Sequence, residues 1–309
     1  MSLTLIEAAK LNSGQVVKSA VIEMFAMGSD ILRVLPFKDI QGNAYKYSRE
    51  EALPGVAFRG VNESFSESTG VVNPLVDALA IAGGDLDVDK FIVTTQGAGV
   101  RGTHESMKVK SLAQSWSRVF IKGDSETDPR EFDGLQKRIS GSQLIDAGAT
   151  AGGDALSLAK LDELIDAVPG ATHLIMNKAM RRRLTAAARN TTVGGFITTS
   201  KDEFGRTVHQ YNDVPILLPY SDNGGTEFVA FDEACPGGGA NVGTSIYCVA
   251  LGEGMVQGIQ NGTMDVRDLG ELETKPVLRT RVEWYAGVCI EHGRAAARLN
   301  GIKDAAVTA

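Results

Sequence analysis

The chain has 309 residues, which is long enough to bury most of its apolar surface as one large domain or two smaller ones without disulfides or metals. Its hydrophobic share of 43% and charged share of 22% are those of globular proteins, and they exclude a disordered or fibrous chain. The net charge of -7 excludes a global positive field that would condense nucleic acid on the protein.

The cysteine content favours a reducing compartment. Cys235, Cys248 and Cys289 are odd in number, widely spaced and without a C-x-x-C pair, which argues against a disulfide framework or a thiolate metal site. Cys248 and Cys289 lie in apolar stretches, which predicts core thiols rather than reactive ones. The N-terminus lacks a basic segment followed by an apolar one, and no window approaches ~18 apolar residues, so we expect neither a secretory signal nor a membrane span.

The first 70 residues predict an arm followed by a long hairpin. The arm carries a short amphipathic pattern over 3–11 and a weakly apolar stretch over 16–25. In the hairpin, aromatic and apolar residues alternate with polar ones between turn-forming pairs: Tyr45, Tyr47, Val56, Phe58, Gly42-Asn43 and Pro54-Gly55. Because the apolar residues are too few for a two-sided core, we expect the hairpin to project and to find its partner on another surface. An ordinary surface hairpin is the alternative.

The middle of the chain predicts a strand and then a long helix. LDVDKFIVTT at 86–95 is typical of a strand, and a helix is expected over 103–120. The apolar residues of this helix share one narrow face: Val109, Leu112, Ala113, Trp116 and Phe120. The helix should therefore pack on one side only.

From about residue 150 the pattern alternates between helices and strands, which predicts a second subdomain. Helices are expected over 157–167 and 178–189, with the strand THLIM between them. Further strands are expected over 206–218, 226–231 and 245–251, followed by a central strand VLRTRVEWYAGVCI whose buried face should hold Val282, Trp284, Ala286, Val288 and Ile290. A last helix, GRAAARLNGI, is expected to close the chain.

The motif GAGVRG at 97–102 suggests an enzyme. It is a literal G-x-G-x-x-G, with the strand-like FIVTT before it, a helix after it and Asp124 about 20 residues further on, as in a dinucleotide-binding fingerprint. Three features argue against this interpretation: Thr95 and Gln96 replace an apolar strand end, about 90 residues precede the strand, and the helix is too long for one crossover. A flexible glycine linker into a helix is the alternative.

Other catalytic and metal-binding patterns are missing from the sequence. The four histidines are scattered, and there is no H-E-x-x-H, G-x-S-x-G or P-loop motif. We therefore expect no metal, no cofactor and no catalytic residue. The basic run at 178–189 places Lys178, Arg182 and Arg189 on one helix face, with three interpretations open: a phosphate or nucleic-acid patch, an interface with an acidic neighbouring subunit, or a solvated face.

The string FIKGDSETDPREFDGL at 120–135, following a long amphipathic helix, resembles a signature of tailed-bacteriophage major capsid proteins. Several other segments resemble successive pieces of that family in the same order: GNAYKYSREEALPGVAFRGVNESF, LDVDKF, DALSLAKLDELIDAV, ATHLIMNKAMRRRLTAAAR, NDVPILL, SIYCVALGEGMVQGIQNG and DLGELETKPVLRTRVEWYAGVCIEHGRAAARLNGI. The resemblance covers nearly the whole chain.

The resemblance implies an α+β Hong Kong 97-type capsid fold. Its parts would be an N-terminal arm, an extended loop, a peripheral domain with the spine helix at 103–120, an axial α/β domain, and a return to the peripheral domain. These correspond to residues 1–35, 36–72, 73–150, 151–258 and 259–309. The chain has no room for a fused N-terminal scaffolding segment, and we predict no covalent cross-link. The subunit-contact candidates are Tyr45, Tyr47, Arg49, Phe58, Arg59, Glu63, Arg182 and Arg189.

The implied function is a non-enzymatic major capsid protein that self-assembles into an icosahedral phage head enclosing double-stranded DNA. Its partners would be copies of itself in pentamers and hexamers, separate scaffolding, portal or decoration proteins, and packaged DNA through weak, non-specific proximity. The expected location is the virion, after assembly in the host cytoplasm. An encapsulin-type compartment shell is the alternative with the same fold, and an NAD-dependent oxidoreductase is the alternative from a different class.

Overall fold

The computed structural model describes residues 3–4, 29–97, 99–189, 197–201, 207–219 and 227–308. Its helices are α1 (Asp30–Val34), α2 (Lys90–Gln96), α3 (Gly99–Lys122), α4 (Leu135–Arg138), α5 (Leu158–Asp166) and α6 (Lys178–Ala188). The strands of the first half are β1 (Leu3–Thr4), β2 (Pro36–Asp39), β3 (Ala44–Ala52), β4 (Val71–Ala78), β5 (Ala80–Asp89), β6 (Leu144–Asp146) and β7 (His173–Ile175). Those of the second half are β8 (Ile197–Lys201), β9 (Thr207–Tyr211), β10 (Val214–Leu217), β11 (Thr244–Val249), β12 (Val256–Gln260), β13 (Asp265–Glu271), β14 (Val277–Ile290) and β15 (Ala296–Ile302).

Strand β14 is the centre of a six-stranded sheet, as predicted. It pairs antiparallel with β5 along one edge and with β12 and β13 in succession along the other. Strand β2 then adds parallel to β12, and β1 adds antiparallel to β2. Alternate residues of β14 are buried as the sequence indicated: Val282, Trp284, Ala286, Val288 and Ile290.

Helix α3 packs on the six-stranded sheet through one face. It is longer than the predicted 103–120, and Val109, Ala113, Trp116 and Phe120 are buried while Leu112 is partly buried. The ring of Trp116 lies 5.9 Å from that of Trp284, and Phe37 of β2 lies 5.2 Å from Trp284. Gly258 of β12 makes this aromatic cluster possible, because a Cβ at that position would collide with the Phe37 ring.

A seven-stranded sheet has the strand order β6-β15-β11-β7-β10-β9-β8. Helices α5 and α6 cover one of its faces, where they share a hydrophobic cluster with Leu174, Ile246 and Cys248. The residues that alternate with these along the strands, such as Ile175 and Tyr247, join the cluster that contains α3 and the six-stranded sheet. The two sheets are thus connected through a continuous core.

Three predicted elements differ from the structure. Strand β5 ends at Asp89, and residues 90–96 of the expected strand form α2, because the Asp89 side chain caps the helix by accepting from the Phe91 amide at 2.8 Å. The expected last helix is wrong: residues 296–302 form β15, which pairs with β11 and is buried along most of its length, so tertiary pairing overrides the helix preference of its alanines. Residues 227–231 of another expected strand contain no strand.

The predicted strand over 206–218 is a hairpin. Strands β9 and β10 are joined at Asn212 and Asp213, whose φ angles of 47° and 64° are those of a tight hairpin turn. The predicted arm, residues 1–35, lies outside the described residues apart from β1 and residues 29–35, which contain α1. Strands β6 and β15 belong to the seven-stranded sheet although they lie outside region 151–258, and the five-part domain division stays a prediction.

Candidate subunit-contact surfaces

Strands β3 and β4 form a two-stranded hairpin that, among the described residues, pairs with no other strand. Residues 53–70 connect them, and all of these are exposed. The apolar side chains of this tip are uncovered: Leu53, Val56, Phe58, Val61 and Phe65 are exposed by 78%, 92%, 105%, 93% and 66%. A soluble subunit rarely displays so many apolar side chains together unless they meet a partner.

Three of the predicted contact residues lie in this tip. The Arg59 guanidinium donates to the Glu63 carbonyl at 2.9 Å and lies 5.2 Å from the Phe65 ring centroid. A Glu63 carboxylate oxygen accepts from the Gly60 amide at 2.8 Å. These contacts shape the tip locally and leave the Phe58 ring facing solvent.

Three other predicted contact residues contact the chain's own body at the root of the hairpin. The Tyr45 hydroxyl accepts from Lys38 Nζ at 2.7 Å and donates to Glu291 Oε1 at 3.0 Å. The Arg49 guanidinium donates to the carbonyls of Ile290 at 2.5 Å and Glu291 at 3.3 Å. Both contacts are made at the end of β14, so these residues fasten the root to the six-stranded sheet.

Tyr47 completes the root through a partly buried carboxylate, that of Asp77. Its hydroxyl donates to Asp77 Oδ2 at 3.0 Å, and the other oxygen of Asp77 pairs with Arg138 at 2.8 Å. Burial, followed by the negative charge of Asp77, raises the pKa of Tyr47 to about 12, so the hydroxyl stays a donor at neutral pH. Asp77, Arg138 and Glu291 carry no signal in the sequence, because no local motif links residues so far apart in the chain.

The last two predicted contact residues lie on α6. Met180, Leu184 and Ala187 of this helix are buried against the seven-stranded sheet, whereas Arg182 and Arg189 are exposed. Within the described residues, neither arginine has an ion-pair partner.

The structural context of GAGVRG is not that of a dinucleotide site. A fingerprint of this kind needs a strand before the glycines, and α2 occupies that place. Arg101 pairs with Asp268 at 2.6 Å and donates to the Thr280 hydroxyl at 2.7 Å. Asp124 accepts from the Thr127 hydroxyl at 2.8 Å and pairs with Lys137, which lowers its pKa to about 2.

Two of the cysteines lie in the core. Cys248 and Cys289 are buried, and burial raises the pKa of each thiol to about 12, as expected for core thiols. In the described part of the chain, no group of three or more His, Cys, Asp or Glu side chains is arranged to hold a metal ion. None of the described helices combines the length and apolarity that a bilayer span requires.

Comparisons with known proteins agree with the fold. The family model of major capsid protein GP7 matches residues 12–159, just under half of the chain, and no curated protein sequence matches. The holo-SrpI encapsulin complex from Synechococcus elongatus PCC 7942 aligns with a TM-score of 0.63 at 17% identity, over 90% of this chain and 89% of that one. The capsid of an empty GTA particle gives 0.61 at 13% identity, over 89% and 90%. A chain of Microbacterium phage Oxtober96 gives 0.62 at 13% identity, over 88% and 90%.

The likeness to these solved structures shows that the chain has the fold that they share. The match to the major capsid protein family confirms the more particular resemblance noted in the sequence, that of a tailed-bacteriophage major capsid protein with the Hong Kong 97-type fold.

Proposed function

We propose that copies of this protein assemble into a closed icosahedral shell that encloses double-stranded DNA, as the head of a tailed phage. The observation that carries the proposal is the hairpin tip, whose five apolar side chains are uncovered on a subunit with a capsid fold. Each copy would place its tip on a neighbour, and repetition of this contact around symmetry axes would close the shell.

The charge of the protein supports a DNA container rather than a DNA-binding protein. A net charge of -7 would leave the packaged duplex mobile, since tight binding to the wall would impede both packaging and release. The other proposed partners are scaffolding, portal or decoration proteins. We place the assembled protein in the virion and its assembly in the host cytoplasm.

The hairpin contact is tested with Phe58→Asp in the full chain. Because Phe58 contacts nothing in its own subunit, the variant should fold normally but fail to form closed particles in sedimentation and negative-stain imaging. Ser66→Asp is the matched control, since it adds the same charge to the tip without removing the ring. Normal particles from Phe58→Asp would refute the hairpin as an assembly element, and a wild-type protein that stays monomeric at every salt and protein concentration would refute the shell.

The second candidate is a compartment shell of the encapsulin type, and the alignment with the SrpI encapsulin favours it. The contents of purified particles separate the two candidates. A phage head yields nuclease-protected double-stranded DNA, whereas a compartment yields a copurifying protein at fixed stoichiometry and no protected DNA.

A further inference from the structure

Helix α6 presents a basic face that the fold of a single subunit does not use. Arg182 and Arg189 are exposed on the side opposite the buried residues Met180 and Leu184. Within the part of the chain that the structure describes, the side chain of neither arginine forms a hydrogen bond or an ion pair. A third arginine of the helix, Arg183, is paired with Asp304 at 2.7 Å.

Helix α5 presents an acidic face on the same side of the same sheet. Asp162, Glu163 and Asp166 are exposed, and Leu161 and Leu164 pack into the cluster that also holds α6. Asp162 accepts from the Tyr211 hydroxyl at 2.9 Å, and Glu163 pairs with Lys160 at 2.7 Å. Asp166 has no partner among the described residues.

The stability of helix α5 does not explain its acidic end. The last turn of α5 contains Glu163 and Asp166 and no basic residue, although a helix C-terminus favours cations. The first turn of α6 contains Lys178 and no acidic residue, although a helix N-terminus favours anions. The carboxylates of α5 therefore oppose the dipole of their helix and gain nothing from it, whereas Arg189, the C-cap residue of α6, accords with the dipole of its helix. An intermolecular role accounts for the acidic end of α5 better than the stability of that helix does.

We infer that the basic face of α6 binds the acidic face of α5 on a second copy of this chain. This inference rests on the proposed function, since it names one of the contacts from which the shell would be built. Charge complementarity selects the partner. An extended polyanion such as DNA would match the basic face alone, whereas a second copy offers an acidic helix and a basic helix together, so that both faces find a complement. A head-to-tail contact of this kind repeats around a ring.

Charge reversal on the full chain tests the contact. The basic-face variant carries Arg182→Glu with Arg189→Glu, the acidic-face variant carries Glu163→Lys with Asp166→Lys, and the third variant carries all four substitutions. Each two-site variant converts two attractions per contact into repulsions, so its critical concentration for assembly should rise by about tenfold. The four-site variant restores opposite charges across the contact and should assemble within about twofold of the wild type.

The measurements are sedimentation velocity over a concentration series and thermal unfolding of each variant. Unfolding temperatures that stay within a few degrees of the wild type, as the exposed positions predict, would show that the subunits fold. Recovery in the four-site variant alone supports the pairing. The inference is overturned if both two-site variants assemble like the wild type, or if the four-site variant is as defective as they are. Shells of the basic-face and four-site variants that assemble normally but retain less DNA would also overturn it, by assigning the basic face to nucleic acid. If the wild type does not assemble, the proposed function fails instead.

Discussion

The buried ion pair of the seven-stranded sheet gives the sharpest prediction about stability. Arg298 of β15 donates to Glu233 at 2.8 Å and to the Ser245 hydroxyl of β11 at 2.9 Å. The side chains of Arg298 and Glu233 are exposed by only 11% and 3%, and the Arg298 guanidinium lies 5.8 Å from the Tyr247 ring centroid. The perturbation is Arg298→Met, which preserves much of the volume but removes the charge that compensates the Glu233 carboxylate.

The burial of the ion pair determines how much free energy of unfolding Arg298→Met should lose. Removing one partner of a buried pair leaves an uncompensated charge, which costs about 3–5 kcal/mol. One oxygen of Glu233 already has no hydrogen-bond partner among the described residues, so the remaining carboxylate would keep only the Ser245 hydroxyl. The control is Arg183→Met, which breaks an ion pair whose side chains are exposed by 42% and 48% and should cost at most about 1 kcal/mol.

Urea unfolding of the two variants, at a protein concentration too low for assembly, measures the free energy of unfolding. Adding Glu233→Gln to Arg298→Met should recover part of the loss, because a neutral amide is less costly to bury than an unpaired carboxylate. If Arg298→Met and Arg183→Met cost the same, or if Glu233→Gln makes the first variant less stable still, the argument from the uncompensated charge is refuted.

Two further predictions concern pH and the hairpin root. Burial and the charge of Arg33 lower the pKa of His173 to about 4, so the unfolded chain takes up a proton near pH 6.5 before the folded chain does. The free energy of unfolding should therefore fall by up to about 3 kcal/mol between pH 6.5 and pH 4. His173→Gln should make this fall smaller in urea unfolding, and a pH dependence identical to that of the wild type would contradict the role of His173. Arg49→Met removes the bonds to the carbonyls of Ile290 and Glu291, so amides of β3 and β4 should exchange hydrogen faster while those of β14 are unchanged. Amides of β3 and β4 that exchange no faster in Arg49→Met than in the wild type would contradict the role of Arg49.

Periodicity alone predicted the elements whose residues alternate between core and solvent. The buried face of β14 could be predicted because Trp284 and its apolar neighbours occupy every second position. The one-sided packing of α3 could be predicted because Trp116 and its apolar neighbours follow the helical spacing of three or four residues. Periodicity does not predict the local structure where a strand partner distant in the sequence determines it. β15 consists largely of residues that favour helices, and only its pairing with β11 makes it a strand.

The candidate contact residues of the hairpin fall into two groups, an exposed one at the tip and one at the root that contacts distant parts of the same chain. Exposure could be anticipated for Phe58, since few apolar residues accompany it and none could form a core there. The same pattern could not show that Tyr45, Tyr47 and Arg49 contact their own chain, because their partners lie up to 246 residues away. Sequence therefore identified the hairpin as a unit but did not separate its root from its tip.

That separation bears on how the hairpin would act in assembly. Hydrogen bonds at the root are directional and contribute only about 1 kcal/mol each, so they fix where the hairpin points more than they stabilise the subunit. The apolar side chains of the tip are uncovered in the free subunit, so a partner can still bury them. Burying five of them at about 2 kcal/mol each would contribute about 10 kcal/mol to association. Association of two proteins costs about 4–15 kcal/mol, so a single tip contact would barely hold two subunits together. Stable particles would then require several contacts per subunit at once, which would make assembly cooperative in protein concentration and leave isolated pairs of subunits short-lived.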